Sequence, residues 1–213
     1  MPRKPRIFSK YLPFHIYARC NNKEAFQIDL RKVWHIFEEH LWLLHNLYNI
    51  KIHSFALMPN HYHSICSTPL NNRAQAWLWF QTSLAKTINL YTERVNHLWG
   101  GCYKAQAIWD PLHYAIAYKY VLRNPVKARI IRKPEFYTFS SLNQILGQSP
   151  CRIPLTPHPL DFCGLIPDEI CSELNWLNIP FRNEVETALE RTLKRKVFKL
   201  PQAILDNKSL NKL

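Results

Sequence analysis

"MPNHYHSICS", residues 58–67, is the stretch on which the fold turns. Pro59 and Asn60 are a turn signal, and on either side of them lie "KIHSFALM" (51–58) and "HYHSICST" (61–68), two short segments rich in β-formers. The arrangement predicts an antiparallel hairpin. Residues two apart on a strand point to the same side, so His61 and His63 aim their imidazoles at one point. Two neutral imidazoles there can hold one divalent ion. Ten histidines in 213 residues give about half such a pair by chance, so the spacing alone decides nothing.

Upstream, "LPFHIYARC" (12–20) alternates Phe14, Ile16 and Ala18 against His15, Tyr17 and Arg19, the period of a half-buried strand. Between it and the hairpin, residues 31–49 place Val33, Trp34, Phe37, Leu41, Leu44 and Tyr48 at intervals of three and four, which predicts a helix with one apolar face. His35, His40 and His45 recur every five residues, each turned about 140° from the last, and are expected on its surface or rim. Downstream, a helical pattern runs from 72 to 96, with Asn71 or Asn72 as cap and Gly100-Gly101 as stop. "CYKAQAIW" (102–109) is a fourth strand, and Asp110 caps a helix that Pro125 is expected to end near Asn124. The order is βαββαβ and then a helix. It predicts an α+β fold, a ferredoxin-like sheet with a following tyrosine-bearing helix, whose open face is a familiar nucleic-acid platform.

Near residue 149 the composition shifts to the proline-rich "SPCRIPLTPHPL", followed by two helical patterns in "PDEICSELNWLNIP" and "NEVETALERTLKRKVF". The expected division is 1–148 for the sheet domain and 149–213 for a linker and helical extension. Against 15 acidic residues stand 28 Lys and Arg, a net charge of +13, gathered in acid-free runs such as "PRKPRIFSK" and "YKYVLRNPVKARIIRK". That is the electrostatic footprint of a polyanion binder, with nucleic acid the expected partner. Without a long apolar run or the apolar core of a signal peptide, the expected location is the cytosol and no membrane is involved. Six cysteines with no Cys-x-x-Cys pair are expected to be reduced thiols.

Tyr120 and Asn124 stand four apart in "YVLRN", on one helix face and one turn from each other. A carboxamide oxygen suits magnesium or manganese as a third ligand beside two imidazoles. Taken alone, Tyr120 is as well explained as an ordinary tyrosine at a core edge.

"ALMPNHYHSICS", "LWGGCYKAQAI", "YKYVLRNPVKARII" and "YTFSSL" resemble, in order from about residue 12 to 142, the consecutive blocks of the single-tyrosine HUH transposases, above all the REP-associated tyrosine transposases of bacteria. "LNWLNIPFRNEVETALERTLKR" resembles the C-terminal region many of them carry. Tyr62 fills a slot more often aliphatic, and Cys102 stands where an arginine is frequent, with Lys104 near. The resemblance implies that His61, His63 and Asn124 hold Mg²⁺ or Mn²⁺ and that Tyr120, rather than Tyr114 or Tyr118, is the nucleophile. It implies cleavage and transfer of single-stranded DNA at hairpin elements through a 5′-phosphotyrosine, by a monomer rather than a homodimer, in the bacterial cytoplasm beside the nucleoid. Arg3, Lys4 and Arg6 are expected to track a hairpin backbone, and Lys104, Arg123, Lys127 and Arg129 to lie beside the target strand. Trp77, Trp79 and Trp99 are expected in the core before they are expected to stack on bases. Two alternatives accompany this reading: a hairpin binder that no longer cleaves, and a relaxase-type nickase of the same chemistry. The absence of a G-x-x-x-x-G-K-[ST] segment argues against a helicase-bearing initiator.

Overall fold

The computed structural model describes residues 7–148, 152–193 and 195–201. Strands β1 (Pro13–Arg19), β2 (Lys51–Met58), β3 (His61–Ser67) and β4 (Lys104–Ala107) alternate with helices α1 (Leu30–Tyr48), α2 (Arg73–Thr92) and α3 (Pro111–Lys127) in the expected βαββαβα order. The sheet runs β2-β3-β1-β4 with every neighbour antiparallel, which is the ferredoxin-like arrangement. Short α4 (Leu142–Ile145), α5 (Ile170–Asn178) and α6 (Asn183–Thr192) follow.

Alternation along the strands sorts the side chains. Phe14, Ile16 and Ala18 of β1 and Tyr62 and Cys66 of β3 enter a core with Val33, Phe37 and Leu41 of α1 and Trp77, Phe80 and Leu84 of α2. Each larger aliphatic or phenylalanine side chain among them, fully withdrawn from water, contributes on the order of 1.5–3 kcal/mol. In β2 the register slips between Ile52 and Ser54, a bulge at His53. The extra residue reverses the parity of the strand, so Ile52 before it and Phe55 and Leu57 after it all reach the same core.

Boundaries depart from the sequence pattern at four places. Helix α2 stops at Thr92 because Glu93 turns into the left-handed region (φ 50°), well before Gly100-Gly101. Its N-cap is Asn72, but that carboxamide donates to the Tyr48 carbonyl at 2.9 Å instead of capping. Strand β4 is only four residues long, since the Tyr103 N–H is taken by the Gln81 side chain. Helix α3 runs through Pro125 to Lys127: in the last turn the missing N–H breaks a single bond, and the chain leaves the helix only where Arg129 turns left-handed (φ 58°). His40, expected on a rim, is buried and links Ile36 O to Ser83 Oγ, tying α1 to α2.

The second face of the sheet is not an open platform. Helix α3 lies across β2 and β3, and a second core joins Ala56 and Ile65 of the sheet to Tyr114, Tyr118, Val121 and Leu122 of α3 and to Phe162, Leu177, Phe181, Leu189, Phe198 and Leu200 of the C-terminal segment. That segment also runs beside β4, where Ala107 N donates to Lys196 O at 3.1 Å and Phe198 N to Ala107 O at 2.9 Å. No helix among the described residues is long and apolar enough to cross a membrane.

Candidate active site

Cross-strand register assembles the site. In the β1–β3 pair, Arg19 faces His61 and Tyr17 faces His63; in the β1–β4 pair, His15 faces Gln106 and Tyr17 faces Lys104. Partners directly opposite share a face, so His15, Tyr17, Arg19, His61, His63, Lys104 and Gln106 all rise on the side that α3 covers. The His61 and His63 rings lie 5.1 Å apart, nearly perpendicular. From α3, the Tyr120 ring meets the His63 ring edge-on at 5.4 Å. One turn on, the Asn124 carboxamide lies beside the side chains of both His61 and Tyr120, near enough to act on the titration of each. Thus the four residues singled out in the sequence converge on one point from two elements.

Burial sets their electrostatics. His61 is pulled down to about 4, mainly by desolvation with Arg19 adding to the fall, and His63 lies well below its usual range through desolvation and the neighbouring His15 and His61. Both are neutral imidazoles near neutral pH, the form in which a histidine binds metal. Burial pushes the Tyr120 phenol up to about 12, against which the Asn124 carboxamide beside it pulls. Among the described residues no three His, Cys, Asp or Glu side chains gather into a metal site, so a cation here would need the Asn124 oxygen beside the two imidazoles. Two imidazole nitrogens and one carboxamide oxygen are a donor set that suits a divalent cation.

The other tyrosines of α3 are engaged elsewhere. Tyr118 Oη donates to Glu173 Oε1 at 2.6 Å, and Tyr114 Oη is bonded to His158 Nδ1 at 2.7 Å. Tyr62 is fully buried among Phe37, Phe55 and Phe80. Trp77 is a core residue, and Trp79 and Trp99 pack against that core half-buried.

The basic residues divide. Lys104 and Arg129 are exposed, and Lys127 stands 5.9 Å from the Tyr120 ring while pairing with Glu190 of α6 at 3.1 Å. Arg123 is buried and donates to the Leu177 carbonyl at 2.5 Å. Arg3, Lys4 and Arg6 lie outside the described residues. Helix α6 covers the tyrosine: Tyr120, Arg123, Lys127, Phe181, Glu186 and Leu189 line a cavity of about 110 Å³, and Tyr120 is only 6% exposed.

Three residues beside the site escaped the sequence reading. Arg19 is exposed next to His61. His15 and Gln106, both wholly buried, stand behind His63: His15 Nε2 meets His63 Nδ1 at 2.9 Å and His15 Nδ1 meets Gln106 Oε1 at 2.9 Å. The alternation of "HIYAR" carried part of the signal, since it puts His15 and Arg19 on one face, but nothing local marks partners that far away in sequence.

No protein-family model matches the chain, and no curated protein matches it. Among solved structures, the chain is similar to a REP-associated tyrosine transposase bound to a REP hairpin, with a TM-score of 0.59 over 79% of this chain and 95% of that one, at 15% identity. The fold is that of a tyrosine transposase. A transposase candidate from Deinococcus radiodurans R1 matches far more weakly, with a TM-score of 0.37 over 54% of this chain and 92% of that one, at 13% identity. At these identities the likeness is one of tyrosine-transposase fold, and the chemistry has to be argued from the side chains.

Proposed function

We propose that the protein is a divalent-metal-dependent DNA strand transferase that cleaves single-stranded DNA beside a hairpin through a 5′-phosphotyrosine on Tyr120. The observation that carries this is the meeting of His61 and His63 from β3 with Tyr120 and Asn124 from α3 at one point of one sheet face. The choice of hairpin DNA is supported by the fold shared with a transposase bound to a REP hairpin and by the net charge of +13.

His61, His63 and the Asn124 oxygen would hold Mg²⁺ or Mn²⁺, which when bound polarises the scissile phosphate and offsets charge on its non-bridging oxygens. The sheet and α3 supply the rest. Asn124 stands beside the phenol, and burial keeps the phenol protonated until a phosphate is in place. As the phenol proton passes to water, Tyr120 Oη attacks phosphorus in line, the P–O3′ bond breaks, and the departing 3′ oxygen takes a proton back from that water. The products are a 5′-phosphotyrosine and a free 3′-OH. Attack by the 3′-OH of a second strand reverses these steps and regenerates the phenol, so strands are rejoined without ATP. Arg19 and Lys104, exposed on the same face, would meet the phosphates flanking the scissile one. The chain acts as a monomer.

A second reading, a hairpin binder that does not cleave, is favoured by the burial of Tyr120 beneath α6. End-labelled single-stranded hairpin oligonucleotides, incubated with and without Mn²⁺, separate the two. Metal-dependent label that stays on the protein in SDS, and that Tyr120→Phe abolishes while keeping hairpin affinity, is the expected result. Tight binding with no adduct, with or without Mn²⁺, would establish the binder instead.

A further inference from the structure

We propose that Asn60, Gln106 and His15 are positioning residues that lock His61 and His63 into a single tautomer, with the proton on Nδ1 and a bare Nε2 turned toward Tyr120 and Asn124.

Each lock starts from a backbone carbonyl, which can only accept a hydrogen bond. The Gln106 amide nitrogen lies 2.5 Å from Thr192 O and 3.0 Å from Arg195 O, so both of its protons are engaged and the amide cannot be flipped without setting oxygen against oxygen. Gln106 Oε1 therefore points the other way, 2.9 Å from His15 Nδ1, and the hydrogen between them is supplied by the imidazole. His15 is wholly buried with no carboxylate in hydrogen-bond contact among the described residues, so it is neutral and its Nε2 is an acceptor. Opposite it, at 2.9 Å, His63 Nδ1 must then bear the proton. What remains on His63 is the lone pair of Nε2.

Asn60 repeats the device on a shorter path. Its amide nitrogen donates to Lys23 O at 2.6 Å, which turns Oδ1 toward His61 Nδ1, also at 2.6 Å. His61 thereby donates from Nδ1 and keeps Nε2 bare. The two histidines reach the same tautomer through unrelated chains of partners, one anchored on the Lys23 carbonyl after β1 and one on the Thr192 and Arg195 carbonyls at and beyond the end of α6. That coincidence is expected of a pair of ligands and has no purpose in a pair of core histidines, for which either tautomer would pack.

The inference rests on the metal-site reading above, yet the tautomers can be observed without any metal. Long-range proton–nitrogen correlation spectra of the metal-free, full-length protein at mildly alkaline pH should show both His61 and His63 in the Nδ1–H form. Gln106→Leu should give mixed tautomers at His63 and leave His61 unchanged, and Asn60→Ala should do the reverse. Asn60→Asp, which keeps an acceptor opposite His61 Nδ1, should restore the His61 signature. Mn²⁺ affinity, followed by paramagnetic resonance, should fall about 10–100-fold in Gln106→Leu and Asn60→Ala. An Nε2–H signature for either histidine in the wild-type protein overturns the locks whether or not the variants fold. Unchanged tautomers in Gln106→Leu and Asn60→Ala also overturn them. Locked tautomers in a protein that binds no Mn²⁺ uphold the locks and sink the metal-site reading, whereas Mn²⁺ binding with free tautomers does the opposite.

Discussion

Lys119, next in the chain to Tyr120, is wholly buried, and its Nζ meets no hydrogen-bond acceptor among the described residues. It lies over the Trp176 ring at 4.9 Å and the Phe181 ring at 5.2 Å. Burial pulls its ammonium down to about 7, with Arg123 adding to the fall, against an ordinary value of 10.5. Between these two values the unfolded chain holds a proton that the folded one lacks, so this lysine makes stability rise with pH across that window. Below about 7 both states are charged and the whole desolvation penalty is felt. Lys119→Met should therefore be more stable than the wild type below pH 7, with the gap closing toward pH 10.5, in urea titrations run at a series of pH values. Parallel curves would mean that the lysine is charged and satisfied in the fold. A second residue-level test concerns Tyr118, whose hydroxyl meets the buried Glu173 at 2.6 Å. Tyr118→Phe leaves that carboxyl without its donor, at a cost of about 1–3 kcal/mol in denaturant unfolding, while the covalent DNA adduct should persist. Loss of the adduct at normal hairpin affinity would move the nucleophile from Tyr120 to Tyr118. At this scale the His-x-His and Tyr-x-x-x-Asn spacings could be read directly, because each lies within one element whose period fixes its face. His15 and Gln106 could not, since their roles exist only once β1 and β4 are paired.

Elements were legible wherever burial imposed a period. The apolar stripe of α1, the alternation of β1 and the turn at Pro59-Asn60 all correspond to elements of the structure. What the pattern missed were ends set by single backbone conformations, such as left-handed Glu93 after α2 and left-handed Arg129 after α3, for which glycine is the usual signal and neither residue is glycine. The bulge at His53 was hidden for a similar reason, since a one-residue slip looks in the sequence like broken alternation. The start of α3 was plain, and it makes a prediction. Asp110 accepts from His113 N at 2.9 Å, caps the helix and also pairs with the His113 ring. Asp110→Ala should cost about 0.5–2 kcal/mol of stability, as caps do. Tyr120 lies nearly three turns and Asn124 nearly four turns further on, held against β3 by their own contacts, so adduct formation per folded molecule should be unchanged. A slower adduct in fully folded Asp110→Ala protein would show that the N-terminal turn of α3 governs where the tyrosine sits.

Across the whole molecule, the C-terminal segment has two opposed relations to the site. Its backbone at Thr192 and Arg195 anchors Gln106 behind His63, while α6 in front seals Tyr120 from solvent. The sequence announced helices there but not where they would land, because Leu189, Phe181 and Phe198 could have packed against any apolar surface and the face they cover was expected to be open. With Tyr120 covered in this way, access for a DNA strand is expected to need a shift of α6 that leaves its last residue, Thr192, and Arg195 beyond it in their hold on Gln106. The contact that meets this requirement is the ion pair between Lys127, one turn past Asn124, and Glu190 of α6. Its carboxylate is largely exposed, so the pair is worth on the order of 0.2–1 kcal/mol at most. Reversing it with Glu190→Lys should leave the unfolding temperature almost unmoved. The same change biases the position of α6 by a comparable free energy, so the initial rate of adduct formation should rise by roughly a few-fold at low salt, and the gain should fade as salt screens the repulsion. The added lysine also attracts DNA, so the rate has to be compared at saturating hairpin, where affinity no longer contributes. A rate at saturation that does not respond, or that falls, would mean that α6 stays seated and that the strand reaches Tyr120 from the side of Arg19 and Lys104.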